Sequence, residues 1–301
     1  EGLSDPKAFF EVAQEVAAKK PVLAMKGGYT EEGSKAAASH TGGLAGRDIA
    51  TELIFEKAGL LTFRDQGELC RAAVAFAYQP VPQGNRVGLI TNTGGPAIVA
   101  TDVLVDAGLE IPPLSEEAEE TLREALHPAA SINNPIDVLA PANAEQFRAA
   151  VDVLLDEEQI DSVYINFVTP FFVDNESIAT ELVAVNQERA EKPIICNLMT
   201  DKRQWTQVLE TLKEGGVPCY SLPETAARAL VALTRYNQVR SRELGEPAHF
   251  DDVDQAQAES ILQGAGQAGR EFLAAGEVYE LLEAYGIPVA GWGVAADAEE
   301  A

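Results

Sequence analysis

Apolar positions along the chain follow two alternating spacings. Phe9, Val12, Ala13 and Val16 recur at helical intervals behind Ser4-Asp5-Pro6, a capping side chain followed by proline, and predict a helix. Pro21-Val22-Leu23-Ala24-Met25 is a short continuous apolar run of buried-strand character. Residues 26 to 47, rich in Gly, Ser and Thr, read as a loop. A helix from about Ile49, a strand over Leu60-Leu61-Thr62-Phe63 and a helix from Gln66 to Phe76 complete this block.

After a Pro- and Gly-containing stretch, Pro80 to Asn85, a second series begins. Strands are predicted over Arg86 to Thr91, Ser162 to Val168, Pro193 to Leu198 and Val217 to Tyr220. Helices are predicted over Ala97 to Asp106, Ser115 to Ala125, Phe147 to Leu155, a segment ending near Glu188, Trp205 to Leu212 and a segment from Pro223. Strands separated by helices of this length imply parallel neighbours joined by crossovers, hence an α/β fold of three αβα layers with a doubly wound parallel sheet. The expected organisation is a partial α/β domain over 1–80, a complete one over 85–236, an acidic linker over 237–276 with some helix, and the start of a further unit over 277–301. The chain begins without methionine and ends inside that last unit, so it reads as a piece of a longer protein.

Charge narrows the function. The 48 acidic against 22 basic residues give a formal net charge of −26, which argues against nucleic acid or an anionic membrane surface as partner. Such an excess suits solvation, or a salt-adapted source. No apolar run approaches the ~18 residues of a membrane span and no secretory signal pattern opens the chain, so a cytoplasmic protein is expected. Cys70, Cys196 and Cys219 have no CxxC spacing and read as free thiols; no metal site is assigned.

Three segments carry candidate chemistry. In Gly33-Ser34-Lys35-Ala36-Ala37-Ala38-Ser39-His40-Thr41-Gly42-Gly43-Leu44-Ala45-Gly46, small residues leave the His40 ring accessible and let backbone amides approach an anion, as attack on a phosphoryl group requires. The same pattern also fits a surface histidine on a loop. Thr91-Asn92-Thr93-Gly94-Gly95-Pro96 ends a strand and opens a helix, which aims unsatisfied N–H groups and the positive end of the helix dipole above the sheet. A glycine pair there also fits a plain turn. Asn134-Pro135-Ile136-Asp137 holds two side chains that set turns. His127 and His249 lack supporting pattern and are assigned to structure.

The Ser39 to Gly46 string, preceded by Gly-Ser-Lys-Ala-Ala, resembles the phosphohistidine loop of nucleoside-diphosphate-forming (ADP-forming) acyl-CoA synthetases, the acetate-CoA ligase family related to succinyl-CoA synthetase. The resemblance covers nearly the whole chain. It implies flavodoxin-like domains and an acid-thiol ligase converting acyl-CoA, phosphate and ADP to acid, CoA and ATP through an acyl phosphate. His40 would take the phosphoryl group and hand it to ADP, with Ser39, Thr41, Gly42 and Gly43 binding phosphate beside it. Glu1, in the Glu1-Gly2-Leu3 turn, would orient the imidazole. Asn92, Gly94 and Gly95 would belong to a second phosphate-facing turn packed against that loop, and Asn134 and Asp137 are further candidates. Glu277 to Val289 resembles the opening of an ATP-grasp domain.

CoA, ATP or ADP, and Mg2+ are thus implied for the full-length enzyme, none of them bound wholly within these residues. CoA-binding and ATP-grasp domains are expected in cis or as another subunit, and an oligomer is expected. The other reading is a non-catalytic regulatory region of a protein acetyltransferase, which the intact His40 disfavours. These residues alone are expected to give no turnover.

Overall fold

The structure is a computed structural model that describes residues 3, 5–41, 49–242, 245, 250–293 and 295, without the side chains of 37–41 and 49–50. The chain forms two compact units, Glu1–Arg242 and Glu243–Ala301.

The first unit starts with α1, Pro6–Ala17, where the Asp5 carboxylate accepts from the Ala8 amide at 3.0 Å. Two short strands, β1 (Leu23–Met25) and β2 (Leu61–Phe63), pair in parallel with Leu23 opposite Leu61. Between them the expected loop over 26–47 is corrected: residues Glu31–Thr41 form helix α2, and Ile49–Lys57 form α3. The reason is local. The Thr30 hydroxyl accepts from the Gly33 amide at 3.1 Å, Glu31 pairs with Lys35 at 2.7 Å across one turn, and the Ala36-Ala37-Ala38 run has the strongest helix propensity available. These outweigh Gly33 and Ser34, so His40 lies in the backbone of a last helical turn.

Helix α4 (Gln66–Tyr78) is capped by Asp65, which accepts from the Glu68 amide at 2.7 Å. A five-stranded, all-parallel sheet follows, built from β3 (Val87–Thr91), β4 (Ile136–Asp137), β5 (Ser162–Val168), β6 (Ile194–Met199) and β7 (Cys219–Tyr220) in the order β4-β3-β5-β6-β7. Counted within this sheet the order is 2-1-3-4-5, the flavodoxin-like doubly wound arrangement, and its switch point lies between β3 and β5. Strand β4 occupies the segment read from sequence as a loop; two residues are too short to leave an apolar run.

Alternate strand residues face two cores. Val87, Leu89, Tyr164 and Ile195 pack with α4, α5 (Gly94–Asp106) and α10 (Pro223–Arg240). Ile90, Ile165, Phe167 and Cys196 pack with α6 (Glu116–Ala125), α7 (Ala144–Asp156), α8 (Asn175–Glu188) and α9 (Thr206–Glu214). Burial on both faces explains why these strands read as continuous apolar runs. Arg148 on α7 bridges to Asp152 at 2.8 Å and to Glu181 and Glu188 on α8. Helix α10 also joins the first block to the second: Tyr236 donates to the Ala17 carbonyl at 3.1 Å, stacks edge-on against Phe76, and shares a buried cluster with Leu61, Phe63 and Ala72.

In the second unit, α11 (Gln255–Gln267) is capped by Asp254 and α12 (Ala275–Ala284) ends at Gly286, whose φ of +65° suits glycine. Among the described residues no helix is long and apolar enough to cross a membrane.

Candidate functional site

Strand β3 ends at Thr91 and α5 starts at Gly94, at the crevice where the strand order reverses. The Thr91 hydroxyl organises the turn, accepting from the Thr93 amide at 2.9 Å and from Asn166 Nδ2 at 3.0 Å while donating to the Thr93 carbonyl at 2.5 Å. Thr93 is the N-cap of α5, yet its side chain makes no capping bond. Pro96 has no N–H, so the first-turn donors are the amides of Gly94 and Gly95. Both glycines are exposed, and a Cβ built on either meets nothing within 4 Å. No packing inside the described protein requires glycine there. What the pair provides is close access from outside to two amides at the positive end of a 13-residue helix, a geometry suited to an anion.

Asn92 is buried and both ends of its amide are bonded: Nδ2 donates to the Val168 carbonyl at 2.9 Å and Oδ1 accepts from the Val168 amide at 2.9 Å. It clamps the end of β3 to the end of β5 and so fixes the glycine turn from below. Asn134 does a similar job on the other side of β3, accepting from the Leu89 amide at 2.9 Å and donating to the carbonyls of Val87 and Pro112 at 2.8 and 2.9 Å. Asp137, in register with Thr91, accepts from the Leu139 amide at 2.9 Å through Oδ1.

A polar row crosses the sheet just below this crevice: Asp137, Thr91, Asn166, Asn197 and Tyr220 are successive register partners. Asn166 and Asn197 are fully buried, and each Oδ1 lacks a hydrogen-bond partner in the protein. Sequence reasoning passed over both. The available signal was one asparagine at the same depth in each of two apolar strands, Ile165-Asn166-Phe167 and Cys196-Asn197-Leu198.

The backbones of Ser39, His40 and Thr41 belong to the last turn of α2; their side chains, and Glu1, Gly42, Gly43 and His249 altogether, lie outside the described residues. His127 is exposed and accepts from the Ala129 amide at 3.1 Å, a turn contact. Cys70, Cys196 and Cys219 are free; contact with the Cys196 thiol, together with burial, pushes the Cys219 thiol well up. Among the described residues no three His, Cys, Asp or Glu side chains are grouped to hold a metal ion.

Fold and turn together define a flavodoxin-like α/β protein with an open helix N-terminus at its switch point. The chain belongs to the Ligase-CoA domain family, matched over residues 87–244, and carries a succinyl-CoA ligase like flavodoxin domain over residues 1–76, the pair found in ADP-forming acyl-CoA synthetases. It is 37% identical over 238 residues to the alpha subunit of acetate–CoA ligase [ADP-forming] II of Pyrococcus furiosus, covering 78% of this chain and 52% of that protein. It is 31% identical to the 4-hydroxybutyrate–CoA ligase [ADP-forming] of Nitrosopumilus maritimus, covering 96% of this chain and 41% of that protein. Among solved structures it resembles the acetyl-coenzyme A synthetase 1 of Ca. Korarchaeum cryptofilum in complex with phosphate and ADP, with TM-score 0.75, 27% identity and coverage of 80% and 52% of the two chains. The chain spans about half the length of the curated relatives it matches.

Proposed function

We propose that this chain is the phosphoryl-relay portion of an acid-thiol ligase that reversibly converts acyl-CoA, phosphate and ADP to acid, CoA and ATP. The observation that carries the reading is the open Gly94-Gly95 helix start, in a Ligase-CoA domain, on the same chain as Ser39-His40-Thr41-Gly42-Gly43. Phosphate displaces CoA from the acyl-CoA carbonyl to give an acyl phosphate. A ring nitrogen of His40 then attacks that phosphorus, releasing the acid, and the phosphohistidine passes its phosphoryl group to ADP, giving ATP and free imidazole. Splitting the transfer in two lets positioned donors stabilise each in-line displacement.

In this reading the amides of Gly94 and Gly95 face the phosphoryl group, Ser39, Thr41, Gly42 and Gly43 surround it from the histidine side, and Glu1 holds the imidazole tautomer. Asn92 and Asn134 position the turn, and Asp137 stands at its flank. Residues 1–80 act as the end of the histidine-bearing domain, 85–236 as the docking domain, 237–276 as linker and 277–301 as the opening of an ATP-grasp domain. CoA, nucleotide and Mg2+ bind elsewhere in the full-length protein or on a partner subunit. The test uses full-length protein and ATP radiolabelled at the γ-phosphate: an acid-labile, base-stable label on His40, absent in His40→Asn, is expected. Undiminished labelling of His40→Asn refutes the assignment.

A further inference from the structure

Helix α5 starts without the usual supports. Its N-cap residue, Thr93, makes no side-chain capping bond, and the first two helical positions are glycines, poor helix formers. What holds this turn comes instead from the neighbouring strand. Asn166 lies on β5 in register with Thr91, is fully buried, and donates through Nδ2 to the Thr91 hydroxyl at 3.0 Å and to the Thr93 carbonyl at 3.4 Å. The Thr91 hydroxyl accepts from the Thr93 amide as well, so N–H donors take both of its acceptor positions. Its one hydrogen goes to the same Thr93 carbonyl.

We propose that Asn166 is a positioning residue of the phosphoryl site, which aims the Gly94 amide by holding the Thr93 carbonyl, directly and through the Thr91 hydroxyl. The inference rests on the phosphoryl-relay reading, in which that amide faces the phosphoryl group. The Thr93 carbonyl and the Gly94 N–H belong to one planar trans peptide group and point in opposite directions. Two donors that hold the oxygen on the buried side therefore turn the N–H away from it. Glycine at 94 makes rotation of this peptide group sterically cheap, so its direction depends on the hold. Stability alone does not account for an asparagine here. Asn166 stands in a strand buried on both faces, and its Oδ1 has no partner in the protein, a cost that a leucine of similar shape would not carry.

The experiment measures ATP formation from acetyl-CoA, phosphate and ADP by the full-length enzyme, beside urea unfolding of the same variants. Asn166→Leu keeps the shape and removes both donors together with the unpartnered oxygen. Thr91→Val removes the intermediate hydroxyl, and Thr91→Ser restores it. In Asn166→Leu and Thr91→Val, kcat is expected to fall at least about tenfold while KM for ADP stays within about twofold, and Thr91→Ser recovers most of the kcat that valine loses. If Asn166→Leu does not fold, the contrast between valine and serine at Thr91 decides. A second test adds Asn166→Leu to Gly94→Ala, which already blocks approach to the amide. A further loss under about twofold is expected, and full multiplication of the two losses overturns the proposal. Unchanged kcat in Asn166→Leu and Thr91→Val overturns it too, as does an equal loss in Thr91→Ser and Thr91→Val. Labelling of His40 by γ-radiolabelled ATP separates this failure from failure of the relay. Labelled wild type with undiminished kcat in the variants sinks only the role of Asn166, whereas unlabelled wild type sinks the relay and this role with it.

Discussion

Replacing Asn92 by alanine separates positioning from ligand binding at the glycine turn. The substitution removes two hydrogen bonds of 2.9 Å and leaves the amide and carbonyl of Val168 without them. A net bond contributes about 1 kcal/mol, and a buried group left unpaired costs about 1–3 kcal/mol; because Val168 is only partly buried, about 2–4 kcal/mol in total is expected. For a unit of this size that lowers Tm by roughly 2–4 °C per kcal/mol, hence about 4–16 °C. Calorimetry and urea unfolding measure it directly. Asn92→Asp keeps the acceptor for the Val168 amide but sets a carboxylate oxygen against the Val168 carbonyl, and should recover little of the loss. A side chain whose main work is to hold phosphate would behave in the opposite way, with stability barely changed. A loss under about 0.5 kcal/mol for Asn92→Ala therefore refutes the clamp.

Other positions give sharper contrasts. Gly94→Ala and Gly95→Ala meet no atom in the described protein, so unfolding free energy should hold steady or rise by up to about 1 kcal/mol, while turnover of the full-length enzyme drops because the methyl group stands where the anion approaches. Gly88 is the reverse case: a Cβ there comes within 2.7 Å of the Leu154 side chain, and Gly88→Ala should destabilise by about 1–3 kcal/mol in urea unfolding. Burial raises the Asp161 carboxyl, but the Arg86 guanidinium at 2.8 Å and the Arg86 amide at 3.0 Å more than reverse this and hold it below its ordinary value. A depressed carboxyl stabilises the fold above its unfolded pKa of about 4, and that contribution is lost as pH falls through the lower folded value. Asp161→Asn should thus reduce stability at pH 7 and flatten its decline in acid, and an unchanged pH profile by urea titration contradicts the pairing.

Most of the architecture was legible because each central strand is buried on both faces. Ser162 to Val168 could be read residue for residue, whereas β4, only two residues long, offers no run to recognise. Helix α2 was misread because Gly33, Ser34 and Ser39 suggested a loop, while the Thr30 cap and the Glu31–Lys35 pair that stabilise a helix act only once the turn has formed. At the site, the glycine pair was legible from its strand-to-helix context. The engagement of Asn92 and Asn134 was not: an asparagine's partners 76 and 45 positions away are set by which strands become neighbours. The asparagines of the buried row escaped notice because each, taken alone, is one polar residue in an apolar strand.

The contact between Tyr236 and Ala17 reaches beyond local packing. Among the described residues of 1–80 two short strands pair, and one wall of the cluster they form is α10, contributed more than 140 residues later. A polypeptide cut before Pro223 would strip Ala232 and Tyr236 from the cluster around Leu61 and Phe63, so this cluster closes only once the far helix is present. Two segments matched as separate domains thus share one buried cluster, and dividing them between independent chains would open it unless α10 stayed with the first.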